Sequence, residues 1–166
     1  MECPSRERLV DFLGAGIVDA FRSVFGENLV SIVLFGSYAR GDFEGDSDVD
    51  VFVVVGEIGD RFELHKKIDL VEDILKPFFE CLKRYGLNPV LSPIVLDKVM
   101  ASKTRPLYLD MVFDARMLYD REDFMKNVLD RVKKKLEEYG AERIRIGRKW
   151  VIVIKKEYRF GEVIEI

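Results

Sequence analysis

The chain has 166 residues, of which 48% are hydrophobic and 34% are charged, and its formal net charge is −3 at pH 7. This length predicts one domain over residues 1–166, and no apolar run approaches the roughly 18 residues of a membrane span. The first residues lack the apolar core of a signal peptide, so we expect a cytoplasmic protein. The two cysteines, Cys3 and Cys81, have no Cys or His partner at a metal-ligand spacing, and we interpret both as incidental.

Charge is unevenly distributed along the chain. Residues 1–120 carry 14 basic and 21 acidic side chains, whereas residues 121–166 carry 13 basic and 9 acidic ones. A basic C-terminal part can help to bind a nucleic acid or a triphosphate, although two solvated faces of one domain explain the asymmetry as well. The high charged fraction and the absence of glutamine indicate a thermophilic source, because ion-pair networks and few thermolabile amides are favoured there.

In chain order, the first predicted element is a helix over residues 5–25. Its apolar residues recur at i, i+3 and i+4, and Gly26 offers a stop. Two apolar runs follow, residues 29–35 and 49–55, and each has the length and β-branched composition of a buried strand. A glycine-serine pair and a polar loop separate the two strands.

Two aspartates at the start of the second strand are the candidate chemical centre. Asp48 and Asp50 lie two residues apart, so on a strand both carboxylates point to the same face. A carboxylate among valines is costly unless it is compensated, and a divalent cation such as Mg²⁺, which prefers oxygen ligands, provides that compensation. The alternative interpretation is an edge strand whose polar face meets water.

The glycines of the intervening loop have the spacing of a P-loop, which is a different phosphate-binding motif. Gly36 and Gly41 are separated by four residues, and a P-loop then requires Lys and Ser or Thr. Asp42 and Phe43 stand there instead. An acid in the lysine position argues against a P-loop.

Four more elements follow in the sequence: a helix at residues 60–85, a strand at 89–96, a helix at 122–139 and a hairpin at 143–153. Pro77 kinks or divides the first of these helices, and Pro93 places the strand at an edge or a bulge. His65 is expected to face solvent. Trp150, the sole tryptophan, is either a core residue, which we favour, or a stacking surface for a base.

The order of glycine, serine and acids around the two strands resembles a known motif. Gly36-Ser37-x-x-x-Gly41 is followed by Ser47-Asp48-x-Asp50 and an apolar strand. This pattern resembles the nucleotidyltransferase superfamily typified by DNA polymerase β, and most closely its minimal prokaryotic members. The resemblance implies an α/β fold, a small mixed β-sheet with helices packed mainly on one face. The core then covers about residues 5–120, with a C-terminal helix and hairpin at 121–166.

The resemblance also implies roles for five residues. Gly36 and Ser37 would hold a triphosphate through backbone N–H and hydroxyl groups. Arg40 would pair with phosphate, and the alternative is a salt bridge to the acidic loop. Asp48 and Asp50 would be catalytic, holding Mg²⁺ for in-line attack on the α-phosphate.

A third metal-binding acid is less clear. The family usually places it on a strand beside the Asp-x-Asp strand, where this sequence offers Ser92. Asp110 is the leading replacement. If residues 107–117 form a strand, Asp110 can join the metal site; if they form a helix, which we favour, Asp110 and Asp114 share a face at i, i+4.

These observations predict Mg²⁺-dependent transfer of a nucleoside monophosphate from an NTP, with ATP the expected donor. The acceptor is not identified, and a protein, a small molecule and an RNA end are the candidates. Two alternatives stay open: an antitoxin-type interaction module that binds a toxin-like helical protein partner, and a catalytically inert nucleotide-binding domain.

Overall fold

The computed structural model describes all residues, 1–166, and contains a four-stranded sheet, a separate two-stranded hairpin and six α-helices. The predicted helices, the third strand and the hairpin are confirmed to within a few residues. The elements are α1 (Leu9–Phe25), β1 (Leu29–Phe35), α2 (Gly36–Arg40), β2 (Val49–Val55), α3 (Arg61–Lys83), β3 (Leu91–Asp97), α4 (Lys98–Ala101), α5 (Pro106–Asp114), β4 (Arg116–Asp120), α6 (Phe124–Glu138), β5 (Glu142–Ile146) and β6 (Lys149–Val153).

The four-stranded sheet has the strand order β3-β2-β1-β4 and is mixed. β1 runs antiparallel to both β2 and β4, whereas β2 and β3 are parallel, so β3 is the edge strand that Pro93 predicts. In this register Asp50 lies opposite Phe35 on one side and Ser92 on the other. β1 and β2 are the two central strands, so the end of β1 and the start of β2 lie side by side at the edge of the sheet formed by the strand ends.

Helices cover both faces of the sheet. The longest helices, α1 and α3, pack with Ile32, Leu34 and alternate valines of β2 in one hydrophobic cluster. α5 and α6 pack on the opposite face in a second cluster, which includes Val33 and Phe52. The mixed α/β fold is confirmed, but the expectation that helices lie mainly on one face is corrected, because α5 and α6 bury the other face as well.

The alternation of β2 decides which helices face Asp50. Phe52 and Val54 belong to the cluster with α5 and α6, and Asp50 lies on the same side of the strand at i−2. This side chain therefore points toward α5 rather than toward the α1–α3 layer. None of the helices is both long and apolar enough to cross a membrane.

The two cysteines are bonded to each other, so their interpretation as incidental was wrong. Cys3 precedes α1 and Cys81 lies in the last turns of α3, with 5.6 Å between their Cα atoms. The packing of α1 against α3 brings these distant positions together. The Tyr85 hydroxyl donates a hydrogen bond to the Pro4 carbonyl at 2.6 Å beside them.

Loss of this disulfide is expected to destabilise the fold. Cys3→Ser should lower the free energy of unfolding by about 2–4 kcal/mol, because the bond restricts a long loop in the unfolded chain. Urea unfolding without reductant measures this, and Cys81→Ser should show the same loss. Reductant should bring the wild-type protein to the level of the variants; a wild-type curve that does not respond to reductant contradicts the prediction.

Candidate active site

The turn after β1 brings the backbone against Asp50. Gly36 has φ +71°, a left-handed conformation that disfavours side chains, and it begins the short helix α2. A Cβ built on Gly36 would overlap the Asp50 Oδ2 atom. Glycine is therefore required twice at this position, by the backbone angle and by the close approach to the carboxylate.

At this edge of the sheet, the carboxyl group of Asp50 has a raised pKa. Burial raises the pKa of its carboxyl group, and the negative charge of Asp48 raises it further. A hydrogen bond with Ser92 and the charge of Arg40 lower the pKa and oppose these effects. Asp48 is exposed at the mouth of the strand. The charge of Asp48 therefore acts on Asp50, although Asp48 itself lies just outside β2.

A cavity of about 480 Å³ opens at this edge, between the sheet, α5 and the C-terminal hairpin. Of the residues predicted for the site, all except Asp48 line it. The lining residues are Phe35, Gly36, Ser37, Arg40, Asp50, Leu107, Asp110, Met111, Asp114, Arg143, Arg148, Lys149 and Trp150. The glycine-serine turn, the strand acid and the candidate third acid therefore share one cavity.

Asp110 reaches this cavity from a helix. The favoured helix is confirmed only as far as Asp114: α5 covers Asp110 and places it on the face it shares with Asp114, whereas the end of the predicted segment, residues 116–117, belongs to β4. Asp110 forms no ion pair, and no three acidic, histidine or cysteine side chains of the chain converge into a ready metal cluster. Asp110 faces the same space as Asp50 without forming a three-carboxylate site.

Arg40 forms the salt bridge that was the alternative to a phosphate contact. Its Nε atom donates to Asp42 Oδ1 at 3.2 Å, and its Nη1 atom lies 3.8 Å from Asp114 Oδ2. Arg40 still lines the cavity, so its guanidinium can reach a ligand there.

The hairpin residues of the cavity were not predicted as part of the site. Arg143, Arg148, Lys149 and Trp150 come from β5, β6 and the turn between them. The favoured prediction that Trp150 is a core residue was wrong, because its side chain is 39% exposed. The positive charge of residues 121–166 was the available signal, but it did not indicate where the hairpin packs.

Sequence comparison decides the family. A family model described as a nucleotidyltransferase domain matches residues 16–99, which include both strands and both aspartates of the motif. The chain belongs to the nucleotidyltransferase domain family.

Proteins of Methanocaldococcus jannaschii are similar to this chain in sequence. A protein of Methanocaldococcus jannaschii, provisionally named a protein adenylyltransferase, is 36% identical over 124 residues, which are 70% of this chain and 79% of the relative. Another protein of that organism with the same provisional name is 30% identical over 104 residues, or 61% of this chain and 90% of the relative.

Solved structures give a weaker likeness. A chain from a crystal structure of a toxin–antitoxin complex with AMP-PNP is 18% identical, with a TM-score of 0.45, and the alignment covers 76% of this chain and 92% of that one.

In this nucleotidyltransferase, Asp110 and the hairpin lie beyond the region that the family model matches.

Proposed function

We propose that this nucleotidyltransferase transfers AMP from ATP to a hydroxyl group of a protein acceptor, with Mg²⁺ as its cofactor. The observation that carries the proposal is the single cavity lined by Gly36, Ser37, Asp50 and Asp110. A glycine-serine turn binds phosphate and a strand carboxylate binds metal, and nucleotidyl transfer needs both in one place.

The acidic residues fit a divalent cation. Asp50 is half-buried, and both its burial and the charge of Asp48 disfavour its ionised form. A cation held by Asp48 and Asp50 would offset both costs, and Mg²⁺ commonly takes two carboxylates with phosphate oxygens and waters as the other ligands. When bound, Mg²⁺ activates the attacking hydroxyl and neutralises charge on the phosphates. Asp110 lines the same cavity and is the proposed third acid, which has to move toward the cation because the three carboxylates do not converge in this structure.

The other residues bind and orient the nucleotide. The backbone of Gly36 and the hydroxyl of Ser37 donate hydrogen bonds to phosphate oxygens, and Arg40 adds a positive charge beside them. In the reaction the acceptor oxygen bonds to the α-phosphorus and loses its proton to solvent water, and the bond from that phosphorus to the oxygen bridging the α- and β-phosphates breaks. Pyrophosphate leaves, and AMP remains on the acceptor.

The choice of AMP and of a protein acceptor has a separate basis. This chain covers 79% and 90% of the length of two relatives, and both relatives bear the provisional name protein adenylyltransferase. No cavity residue has a side-chain chemistry that distinguishes adenine from the other bases. The proposed preference for ATP therefore depends on the similarity to these relatives.

The test is transfer of label from an α-³²P-labelled nucleotide. The protein is incubated with each of the four NTPs and Mg²⁺, alone and with a protein extract, and labelled bands and released pyrophosphate are measured. Label from ATP on a protease-sensitive band, dependent on Mg²⁺, is the expected result. Tight nucleotide binding without pyrophosphate release would favour an inert binding domain, and label on RNA alone would exclude a protein acceptor.

A further inference from the structure

One arginine of the C-terminal hairpin, which is formed by β5 and β6, contacts the domain. The Nη2 atom of Arg143 lies 2.5 Å from Asp114 Oδ2, and its guanidinium carbon lies 4.3 Å from the Trp150 ring centroid and 5.5 Å from that of Phe113. The Arg143 side chain is only 9% exposed. The hairpin is therefore held against α5 at the rim of the cavity.

Arg143 also has hydrogen-bonding capacity that the protein does not use. Its Nε atom is buried and has no acceptor, and its contact with Asp114 is too poorly directed to be a hydrogen bond. A buried donor without an acceptor is costly, and the cost is removed when a ligand oxygen accepts from it. Arg143 lines the cavity, so an oxygen atom of a ligand bound there can occupy that position.

Two further cations stand at the tip of the hairpin. Arg148 and Lys149 line the cavity, and neither lies within 4.0 Å of a carboxylate in an ion pair. Asp50 and Asp110 line the same cavity from β2 and α5. Acids and bases that face one space without pairing leave room for a ligand with both signs of charge, such as a metal-bound polyphosphate.

Trp150 adds an aromatic surface beside these cations. It is 39% exposed and lines the cavity, although the guanidinium groups of Arg143 and Arg145 lie 4.3 and 5.5 Å from its ring centroid. An aromatic side chain in that position can stack with a nucleobase, and such stacking accepts any base. The hairpin thus offers contacts for the phosphates and for the base of one nucleotide.

We propose that the β5–β6 hairpin is the second wall of the nucleotide-binding site. Arg143, Arg148 and Lys149 contact triphosphate oxygens, and Trp150 covers the base. The family match ends at residue 99, so this wall is a feature of the present chain beyond the matched domain. The inference rests on the proposed function, because it assumes that the cavity binds an NTP.

The sole tryptophan gives a direct probe of this wall. The fluorescence emission of Trp150, excited selectively, is measured while the full-length protein is titrated with ATP and Mg²⁺. A parallel titration uses inorganic tripolyphosphate and Mg²⁺. A saturable change in Trp150 emission is expected with ATP, with the same Kd as calorimetry gives. ATP binding in the calorimeter without any change in emission overturns the role of Trp150.

Charge variants test the cations independently of the tryptophan. Arg148→Gln with Lys149→Gln should weaken the binding of ATP and of tripolyphosphate about tenfold or more, because charge-assisted contacts to phosphate are lost. The matched control is Lys133→Gln with Lys134→Gln, which makes the same charge change at exposed positions of α6 and should leave both Kd values unchanged. If both double variants lose the same affinity, the change in net charge alone explains the loss. That result overturns the proposed contacts.

Aromatic variants separate base contact from phosphate contact. Trp150→Ala should weaken ATP binding about tenfold and leave tripolyphosphate binding unchanged, whereas Trp150→Phe should retain most of the ATP affinity. Circular dichroism confirms that each variant is folded. If wild-type protein binds no nucleotide in the calorimeter, the proposed function fails; if it binds ATP equally with and without these substitutions, only the hairpin inference fails.

Discussion

Asp50→Asn is expected to lower the rate of nucleotidyl transfer by about 10²–10³-fold, the range for removing one preorganised electrostatic contact. Asparagine keeps the size of the side chain but removes the charge that holds a cation beside the glycine-serine turn. The measurement is the initial rate of labelled transfer, or of pyrophosphate release, at saturating Mg²⁺ and ATP.

A matched control separates this effect from a general change in the acidic loop. Asp46 is an exposed acid of the same loop and does not line the cavity, so Asp46→Asn should change the rate less than about twofold. Equal rates in the two variants would remove Asp50 from the proposed mechanism. A loss in Asp50→Asn that excess Mg²⁺ restores would indicate weakened metal binding rather than loss of a direct catalytic contact.

The same substitution should stabilise the metal-free fold. Folding raises the pKa of Asp50 above its unfolded value, so the folded state binds this proton more tightly, and stability falls as pH rises from the ordinary pKa through the raised one. In EDTA at neutral pH, Asp50→Asn should therefore melt slightly above the wild-type protein. Below the ordinary carboxyl pKa the two melting temperatures should converge, because the carboxyl group is then protonated in both states.

Local patterns in the sequence were enough to predict much of this structure. The apolar runs of β1 and β2 predicted the strand pair, and the alternation of β2 predicted that Asp50 points away from the flanking valines, because strand geometry fixes where alternate side chains point. The periodicity of α1 and α3 predicted these helices for a similar reason. The helical spacing of Leu107 and Met111 correctly favoured a helix around Asp110, but Ala115 and Leu118, which continue that spacing in the sequence, lie beyond the end of α5.

Features that depend on packing between distant segments were missed. β4 has only five residues, Arg116–Asp120, and it forms because β1 has an open edge to pair with. The Cys3–Cys81 bond depends on the contact of α1 with α3, and the position of Trp150 depends on the ion pair between Arg143 and Asp114. No short window of sequence contains these partners together, so composition and periodicity could not predict them.

Gly36→Ala is expected to abolish transfer and to destabilise the fold by about 2–4 kcal/mol. Alanine at φ +71° is strained by about 1–2 kcal/mol, and its methyl group would overlap Asp50 Oδ2. The strand carboxylate or the turn must move, and either movement separates the phosphate-binding turn from the proposed metal ligand. Chemical unfolding and the labelled-transfer assay measure the two effects.

Gly41→Ala is the matched control for backbone strain. Gly41 ends α2 with φ +88°, and a Cβ there would meet no heavy atom within 4 Å. Gly41→Ala should therefore lose only about 1–2 kcal/mol and keep most of its activity. If the two variants lose the same stability and both stay active, Asp50 moves freely away from the turn, and the close approach of Gly36 to this carboxylate does not organise the active site.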